Sequence, residues 1–228
     1  MNTHSSLGVL ALLSIVACSQ PVDSEEVGSL ESAAACRKCG KPALAATTYW
    51  VDSSPALRST PDGTKKNPFR TLQQALAQAE LDQPASVEIE VSRGDYSGDL
   101  VIARPTVIRG AKGGTFLRGG GIRNDSQLRL EHMTLTDPPG GGVDAVQGGD
   151  TWVTTSLSDV LIVRPSGFGV RQIGGRLDLT DVAVSGVNNV RDRSQSGTAV
   201  EVRGGARADA TNLRLEGNAR ALLVDGAS

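Results

Sequence analysis

Aromatic side chains are scarce in this sequence: Phe, Trp and Tyr together make up 3% of its 228 residues. Large rings therefore cannot supply the core, and Val, Leu, Ile and Ala must fill it. Glycine is abundant by contrast, with 27 residues. Aliphatic residues separated by glycine-containing turns favour short stacked strands over an aromatic-lined pocket.

Neither sign of charge is in clear excess, and the formal net charge is −2 at pH 7. No strongly basic face is predicted, so nucleic acid is not an expected partner. The arginines suit either of two roles, which are bidentate contacts with the carboxylates of an acidic sugar or an ordinary solvated surface.

The N-terminal apolar run, from Leu7 to Ala17, is too short to span a hydrocarbon core of about 30 Å. It is typical of the apolar region of a signal peptide. The run ends in Ile15-Val16-Ala17-Cys18, which resembles the lipobox of bacterial lipoproteins. The resemblance implies that residues 1–17 are removed and that Cys18 is lipidated. The protein would be exported and held by its lipid at the outer membrane or cell surface, while an ordinary signal peptide is the alternative.

Residues 18–47 are rich in Ser, Ala and Glu and show little periodicity, which predicts a flexible tether. Cys36 and Cys39 form a lone C-x-x-C motif inside it. The sequence offers no second pair for a four-ligand zinc site and no βαβ pattern for a thioredoxin-like motif. We predict a local disulfide, with redox and metal-binding roles as the alternatives.

An internal repeat occupies much of residues 100–228. Four segments, which begin at Leu128, Thr155, Leu177 and Ala208, each alternate apolar and polar residues, turn, and alternate again. Such a pattern predicts coils of a solenoid whose apolar side chains stack in columns. The predicted columns are Leu130, Leu157, Leu179 and Ala210; Met133, Val160, Val182 and Leu213; and Leu135, Ile162, Val184 and Leu215.

A polar column lies at the turn between the two strands of each repeat. Its members are His132, Asp159, Asp181 and Asn212. Short polar side chains at a turn can bond to backbone groups and to each other, so we interpret the column as a structural ladder, with Asp181 as a buried acceptor. The alternative is that the carboxylates are catalytic, but an active site is not expected to recur in every coil.

The segment ahead of the repeats carries three further motifs. They are Tyr49-Trp50-Val51-Asp52, the run from Asp62 to Leu76 with Gly63-Thr64 and Pro68-Phe69, and Arg93-Gly94-Asp95-Tyr96. Together they resemble the N-terminal part of the pectin-lyase-like right-handed β-helix family. The resemblance implies an all-β fold, a right-handed parallel β-helix, with an N-terminal cap over residues 48–99. We expect its capping helix to span Phe69 to Leu81, with Leu72, Leu76 and Ala79 on one face.

Members of that family include polysaccharide lyases, glycosidases and esterases. The adjacent aspartate pair and the Gly-His-Gly turn of its glycosidases are absent from this sequence. Weak catalytic candidates for a polysaccharide lyase are the charged residues that one groove could gather: Asp144, Asp150, Arg164, Arg171 and Arg176. No metal or cofactor is expected, except Ca²⁺ if the protein is a lyase.

Binding without catalysis is the preferred prediction, with a polysaccharide or another cell-envelope component as the partner. Trp152 and Phe168 follow glycine-rich turns, where they would form a sugar-stacking platform or be buried between coils. An insertion from Gly186 to Gly197 is the predicted recognition loop. Its candidate contact residues are Asn188, Asn189, Arg191 and Arg193. A polysaccharide lyase or glycoside hydrolase that acts on an acidic polysaccharide is the alternative.

The C-terminal residues from Ala221 to Ser228 complete a coil that no capping element follows. The end of a solenoid exposes apolar surface and unpaired strand edges. We therefore expect either a chain truncated relative to longer family members or end-to-end self-association through Leu213 to Val224.

Overall fold

The computed structural model describes residues 46–54, 60–148, 152–187 and 197–226. Within these residues one helix, α1 (Leu72–Asp82), accompanies two parallel sheets. Sheet A comprises β1 (Thr47–Val51), β2 (Val87–Val91), β3 (Gly94–Ser97), β5 (Thr106–Gly110), β6 (Thr115–Arg118), β8 (Gln127–Thr136), β10 (Thr154–Val163), β12 (Arg176–Ser185), β14 (Arg207–Thr211) and β15 (Arg214–Glu216). Sheet B comprises β4 (Leu100–Ile102), β7 (Ile122–Asn124), β9 (Val143–Val146), β11 (Phe168–Ile173), β13 (Thr198–Arg203) and β16 (Arg220–Asp225).

The strands follow one another as successive coils, each contributing to both sheets. The first coil is β2–β4, the second β5–β7, the third β8–β9, the fourth β10–β11, the fifth β12–β13 and the sixth β14–β16. Every strand pairs in parallel with its counterparts in the neighbouring coils. The described chain is therefore an all-β fold in which parallel strands stack coil on coil, as in a solenoid.

The predicted apolar columns are confirmed in register. Leu157 lies opposite Leu130 on one side and Leu179 on the other, and Leu179 lies opposite Ala210. The side chains of Leu130, Leu157 and Leu179 are buried. Because side chains alternate between the two faces of a strand, one register fixes a whole column inside the coil and its neighbours outside.

The solenoid begins earlier in the chain than the cap boundary at residue 99 predicted. Strands β2 to β4 already make a complete coil, and β1 extends sheet A beyond it. Strand β5 places Ile108 directly opposite Leu130, in the same apolar column. The repeat pattern did not reveal the first two coils because their corners are longer than the single residue that turns β8, β10 and β12: Ser92 and Arg93 separate β2 from β3, and residues 111–114 separate β5 from β6. In the second coil the corner passes through Gly113, at φ +72°.

The helix also begins later than expected, at Leu72 and not at Phe69. Thr71 caps it, because its side chain accepts a hydrogen bond from the backbone N–H of Gln74. Phe69 lies outside the helix, bridges to Val51, and donates its backbone N–H to the carbonyl of Trp50. The buried face of the helix is formed by Leu72, Ala75 and Ala79, whereas Leu76 is partly buried.

Candidate functional site

A row of charged side chains crosses the outer face of sheet B. Strand register places Arg123 opposite Asp144, Asp144 opposite Arg171, and Arg171 opposite Glu201. Arg171 points outward because its strand neighbours Val170 and Gln172 are both buried in the interior. The row therefore alternates in sign from coil to coil, so that each charge has an opposite charge beside it.

Asp144 and Arg171 form a bidentate ion pair within this row. Arg171 Nε donates to Asp144 Oδ1 at 2.8 Å and Nη2 donates to Oδ2 at 2.5 Å. The guanidinium also lies 4.3 Å from the ring centre of Phe168. Hydrogen bonds to Asp144 are the main cause that raises the pKa of Arg171 above its usual value. Both oxygens of Asp144 are thus occupied by one cation, which opposes a role for this carboxylate as a general base.

A groove of about 570 Å³ lies beside this pair. It is lined by residues of β4, β7, β9 and β11, by residues just before β4 and β7, and by the loop after β8: Asp99, Leu100, Val101, Ile122, Arg123, Pro139, Asp144 and Phe168, with Gly121, Gly140 and Gly141. A second groove of about 510 Å³ shares Arg123 and Asp144 and extends to Asp125, Val146 and Gly148. We call the two together the sheet B groove.

The sheet B groove combines fixed charges with apolar patches. Arg123 lies on β7 and donates to Asp125, which follows that strand, with Nε 2.9 Å from Oδ1. Asp99 accepts a hydrogen bond of 2.8 Å from the backbone N–H of Gly121. Val101 is 52% exposed and Val146 is 40% exposed. Such a surface offers donors, acceptors and apolar contacts to an elongated ligand.

The four weak catalytic candidates that the structure describes do not all come together. Arg164 pairs with Asp137, at 2.7 and 2.9 Å, where the chain leaves β10. Arg176 starts β12 in sheet A and contacts Asp178 and Asp209. Only Asp144 and Arg171 meet, because Arg164 and Arg176 lie at the ends of sheet A strands.

Several predicted residues lie outside the described residues. They are Cys18, Cys36, Cys39, Asp150, Asn188, Asn189, Arg191 and Arg193. Their roles in lipidation, disulfide formation, catalysis and recognition stay predictions.

The two aromatic candidates have different surroundings. Trp152 is 59% exposed. Phe168 is buried, with one face covered by Arg171 and its ring close to Gly141. Phe168 lines the sheet B groove but does not present an open ring face, so the two rings do not form the stacking platform that the sequence allowed.

The polar column lies at the bend within strands β8, β10 and β12 and between β14 and β15. His132, Asp159, Asp181 and Asn212 all have positive φ, at 56°, 52°, 54° and 56°. Their side chains bond in two pairs: His132 Nδ1 lies 2.8 Å from Asp159 Oδ2, and Asn212 Nδ2 donates to Asp181 Oδ1 at 2.6 Å. Asp181 is exposed, so the expectation of a buried acceptor is wrong. The left-handed corner turns the side chain out to solvent, and not in toward backbone donors.

Within the described part of the chain, no three His, Cys, Asp or Glu side chains are arranged to hold a metal ion. The described residues also include no helix with the length and apolarity needed to cross a membrane.

Sequence reasoning missed Arg123, Asp99 and Val101 as groove residues. A spacing signal existed only for other charged residues, because Asp137–Arg164, Asp144–Arg171 and His132–Asp159 are all separated by 27 residues. That separation is the length of the third coil, so it identifies which side chains become neighbours. The equivalent spacing for Arg123 was hidden because the second coil lacks the recognisable repeat.

Comparison with protein-family models, with curated proteins and with solved structures finds no match to this chain.

Proposed function

We propose that this protein is a surface-anchored lipoprotein whose solenoid binds a glycan or another cell-envelope component in the sheet B groove, without catalysis. The observation that carries the proposal is the Asp144–Arg171 pair at the edge of a groove of about 570 Å³. The pair holds a fixed arrangement of charge beside open apolar surface, which suits recognition of a polar polymer.

Among the described residues that line this groove, each carboxylate already accepts a hydrogen bond, which supports binding over turnover. Hydrolysis of a glycosidic bond needs two carboxyl groups at a set separation, one of them free to give or take a proton. Asp144 is held bidentately by Arg171, and Asp125 accepts from Arg123 on the same side of the groove. Asp99 is engaged by a backbone N–H. These three carboxylates accept hydrogen bonds from residues that line the groove.

The finer features of the fold belong to the same proposal. We propose that the coils wind right-handed, because crossovers between parallel strands of one sheet are right-handed in almost all proteins. Helix α1 is proposed to cap the first coil. It contacts β1, β2 and β4 and buries Leu72, Ala75 and Ala79 against them, which covers apolar surface at that end. The resemblance to the pectin-lyase-like family rests on the sequence motifs and on this arrangement.

Lipid anchoring at Cys18 is proposed from the lipobox resemblance. Residues 18–47 would then act as a tether that holds the domain away from the headgroups, with Cys36 and Cys39 joined locally. A single acyl chain gives marginal membrane binding, so durable anchoring needs the two or more chains that a lipidated cysteine carries.

The binding proposal is tested with variants that block the groove without touching the core. Val101→Asp places a charge on a side chain that is 52% exposed at the groove, whereas Leu81→Asp does the same on helix α1, where Leu81 is 78% exposed. Calorimetric titration with fragments of cell-envelope polysaccharide should show binding to the parent chain and to Leu81→Asp, but weaker binding to Val101→Asp. Equal binding by all three proteins would contradict the assignment of the groove.

The proposed absence of catalysis has its own assay. The purified chain is incubated with uronic-acid polymers, and the absorbance of unsaturated products and the release of reducing ends are followed. We expect no turnover. Turnover that survives in Leu81→Asp and is lost in Val101→Asp would replace the binding proposal with a lyase or hydrolase.

A further inference from the structure

A groove of about 520 Å³, separate from the sheet B groove, follows the polar corner of sheet A. Its rim carries His132, Asp159 and Asp181, and its floor is formed by Thr134, Leu161 and Ala183. The three floor residues lie opposite one another in register, one from each of three consecutive coils. We call this feature the corner groove; the residues that line it differ from those of the sheet B groove.

The corner groove extends along the stacking direction of the coils. Lys112 from the second coil lines one end and Arg214 from the sixth coil lines the other. Neighbouring strands are about 4.8 Å apart, so four steps from coil to coil give a length of roughly 19 Å. A ligand that fills the groove is therefore a chain that runs along the stacking direction of the coils.

Hydrogen-bonding capacity remains free at the centre of this groove. Asp159 uses Oδ2 toward His132, and Asp181 uses Oδ1 toward Asn212. Among the described residues, the other oxygen of each carboxylate has no hydrogen-bond partner. These two oxygens belong to adjacent coils and face solvent, so they are ready to accept from hydroxyl groups in charge-assisted hydrogen bonds.

The floor between the rim groups is apolar and partly open. Leu161 is 39% exposed because it points outward between Val160 and Ile162, which are buried. Ala183 and the methyl group of Thr134 continue the surface on either side. The C–H faces of sugar rings can cover such a strip and remove its apolar area from water.

The charges select among possible polymers. Lys112 and Arg214 place positive groups at the two ends, with Glu216 Oε1 3.6 Å from Arg214 Nε, whereas Asp159 and Asp181 place two negative charges in the middle. An anionic chain would meet like charge along the centre, and a cationic chain would meet it at both ends. We propose that the corner groove binds a linear, uncharged oligosaccharide, with its hydroxyl groups on Asp159 and Asp181 and its ring faces on Leu161 and Ala183.

The corner groove contains its own spectroscopic reporter. The sequence has two histidines, His4 and His132, and a His4→Gln variant leaves His132 as the only imidazole. The ring protons of His132 are then followed by NMR while the full-length His4→Gln chain is titrated with cellohexaose, an uncharged hexasaccharide. We expect saturable shifts of these signals with cellohexaose and none with hexagalacturonate, which carries a carboxylate on every ring.

Two variants, each made in the His4→Gln chain, test the contacts. Leu161→Asp places a charge on the floor and should weaken cellohexaose binding by about tenfold or more, which corresponds to about 1.4 kcal/mol. Asp181→Asn keeps the shape and the left-handed corner but removes the charge of the acceptor, and it should weaken binding several-fold. Leu81→Asp on helix α1 is the matched control and should leave binding unchanged.

The outcomes separate this proposal from the function assigned to the sheet B groove. Val101→Asp should leave the cellohexaose-induced shifts of His132 intact, whatever it does to binding in the sheet B groove. The corner-groove proposal is overturned if cellohexaose does not move the His132 signals. It is equally overturned if hexagalacturonate moves them more strongly, or if Leu161→Asp and Asp181→Asn bind cellohexaose as well as the control.

Discussion

Arg171 reaches back from the fourth coil to Asp144 in the third, and two hydrogen bonds of 2.8 and 2.5 Å join them. A second bidentate pair, Arg164–Asp137, joins the same two coils at 2.7 and 2.9 Å. The two pairs differ in their surroundings. The side chains of Arg171 and Asp144 are 32% and 28% exposed, whereas those of Arg164 and Asp137 are 57% and 54% exposed.

This difference predicts unequal effects of the same substitution. Arg171→Lys keeps the charge but loses the bidentate fork and the contact with Phe168, so the free energy of unfolding should fall by roughly 1 kcal/mol. Arg164→Lys removes a fork in a more exposed place and should cost clearly less, because water screens the pair. Urea denaturation of both variants measures the difference, and an equal loss would show that burial does not govern these pairs.

Close packing between coils predicts a sharp contrast between two glycines of one loop. A Cβ on Gly142 would lie 2.4 Å from the carbonyl oxygen of Gly169 and 2.9 Å from a methyl carbon of Ile162, whereas a Cβ on Gly140 would have no neighbour within 4 Å. Gly142→Ala should therefore lower stability by about 1 to 3 kcal/mol, as overpacking typically does. Gly140→Ala should be neutral or slightly stabilising, because alanine restricts the unfolded chain. Thermal unfolding of the two variants provides the comparison.

The left-handed backbone at the corner predicts that alanine and glycine at position 181 affect stability differently. Asp181 has φ +54°, a conformation that glycine adopts freely and that Asp tolerates better than Ala, because a short polar side chain can bond locally. Since Asp181 is exposed, Asp181→Ala should destabilise the protein by about 1 kcal/mol or less, and Asp181→Gly should not destabilise it. If both variants lost the same stability, the side-chain hydrogen bond to Asn212 would be the controlling feature.

Alkaline pH should weaken the fold through Tyr49. Burial is the main cause that raises the pKa of Tyr49 from 10.0 to about 12, assisted by its hydrogen bond of 2.5 Å to Asp82. The folded protein then keeps a proton that the unfolded chain releases, so this contribution to stability is complete below pH 10 and is lost as the pH rises toward about 12. Tyr49→Phe should unfold with a flatter pH dependence over that interval in chemical denaturation. A residual slope is expected from Tyr96, whose pKa burial also raises; an unaltered slope in Tyr49→Phe would contradict the assignment.

The lipid anchor predicts a change of location in a single variant. Cys18→Ser removes the only atom that the lipobox resemblance allows to carry acyl chains, so the protein should leave the detergent-soluble membrane fraction. Fractionation followed by immunoblotting measures this, with Cys36→Ser as the control that keeps the anchor. Retention of Cys18→Ser in the membrane fraction would refute the lipobox interpretation.

The sequence was sufficient for the apolar columns because they depend on a short-range rule. Alternation of apolar and polar residues places Leu130, Leu157 and Leu179 on one side of their strands, and recurrence of the pattern stacks them. The same reasoning could not reach the second coil, where Ile108 occupies the column but the longer corner of residues 111–114 replaces the single polar corner residue.

The sequence predicts only some of the ion pairs between charged side chains. The 27-residue spacing of Asp144 and Arg171 predicts that they are neighbours once the coil length is known. Arg176 obeys no such rule, because it contacts Asp178 on its own strand as well as Asp209 in the next coil. Charged side chains are long, and several carboxylates are within reach of each guanidinium, so the pairing depends on local geometry.

The sequence by itself determined the alternation, the coil length and the stacked apolar interior, since these follow from strand periodicity and turn residues repeated along the chain. Only the tertiary structure decided which outer faces are grooves and which polar groups remain available in them. The sequence predicted Asp181 as a buried acceptor, whereas Asp159 and Asp181 are exposed at a corner where the backbone is left-handed. The physical reason is that burial depends on the path of the backbone through three dimensions, whereas periodicity specifies only the side of the strand on which a residue lies.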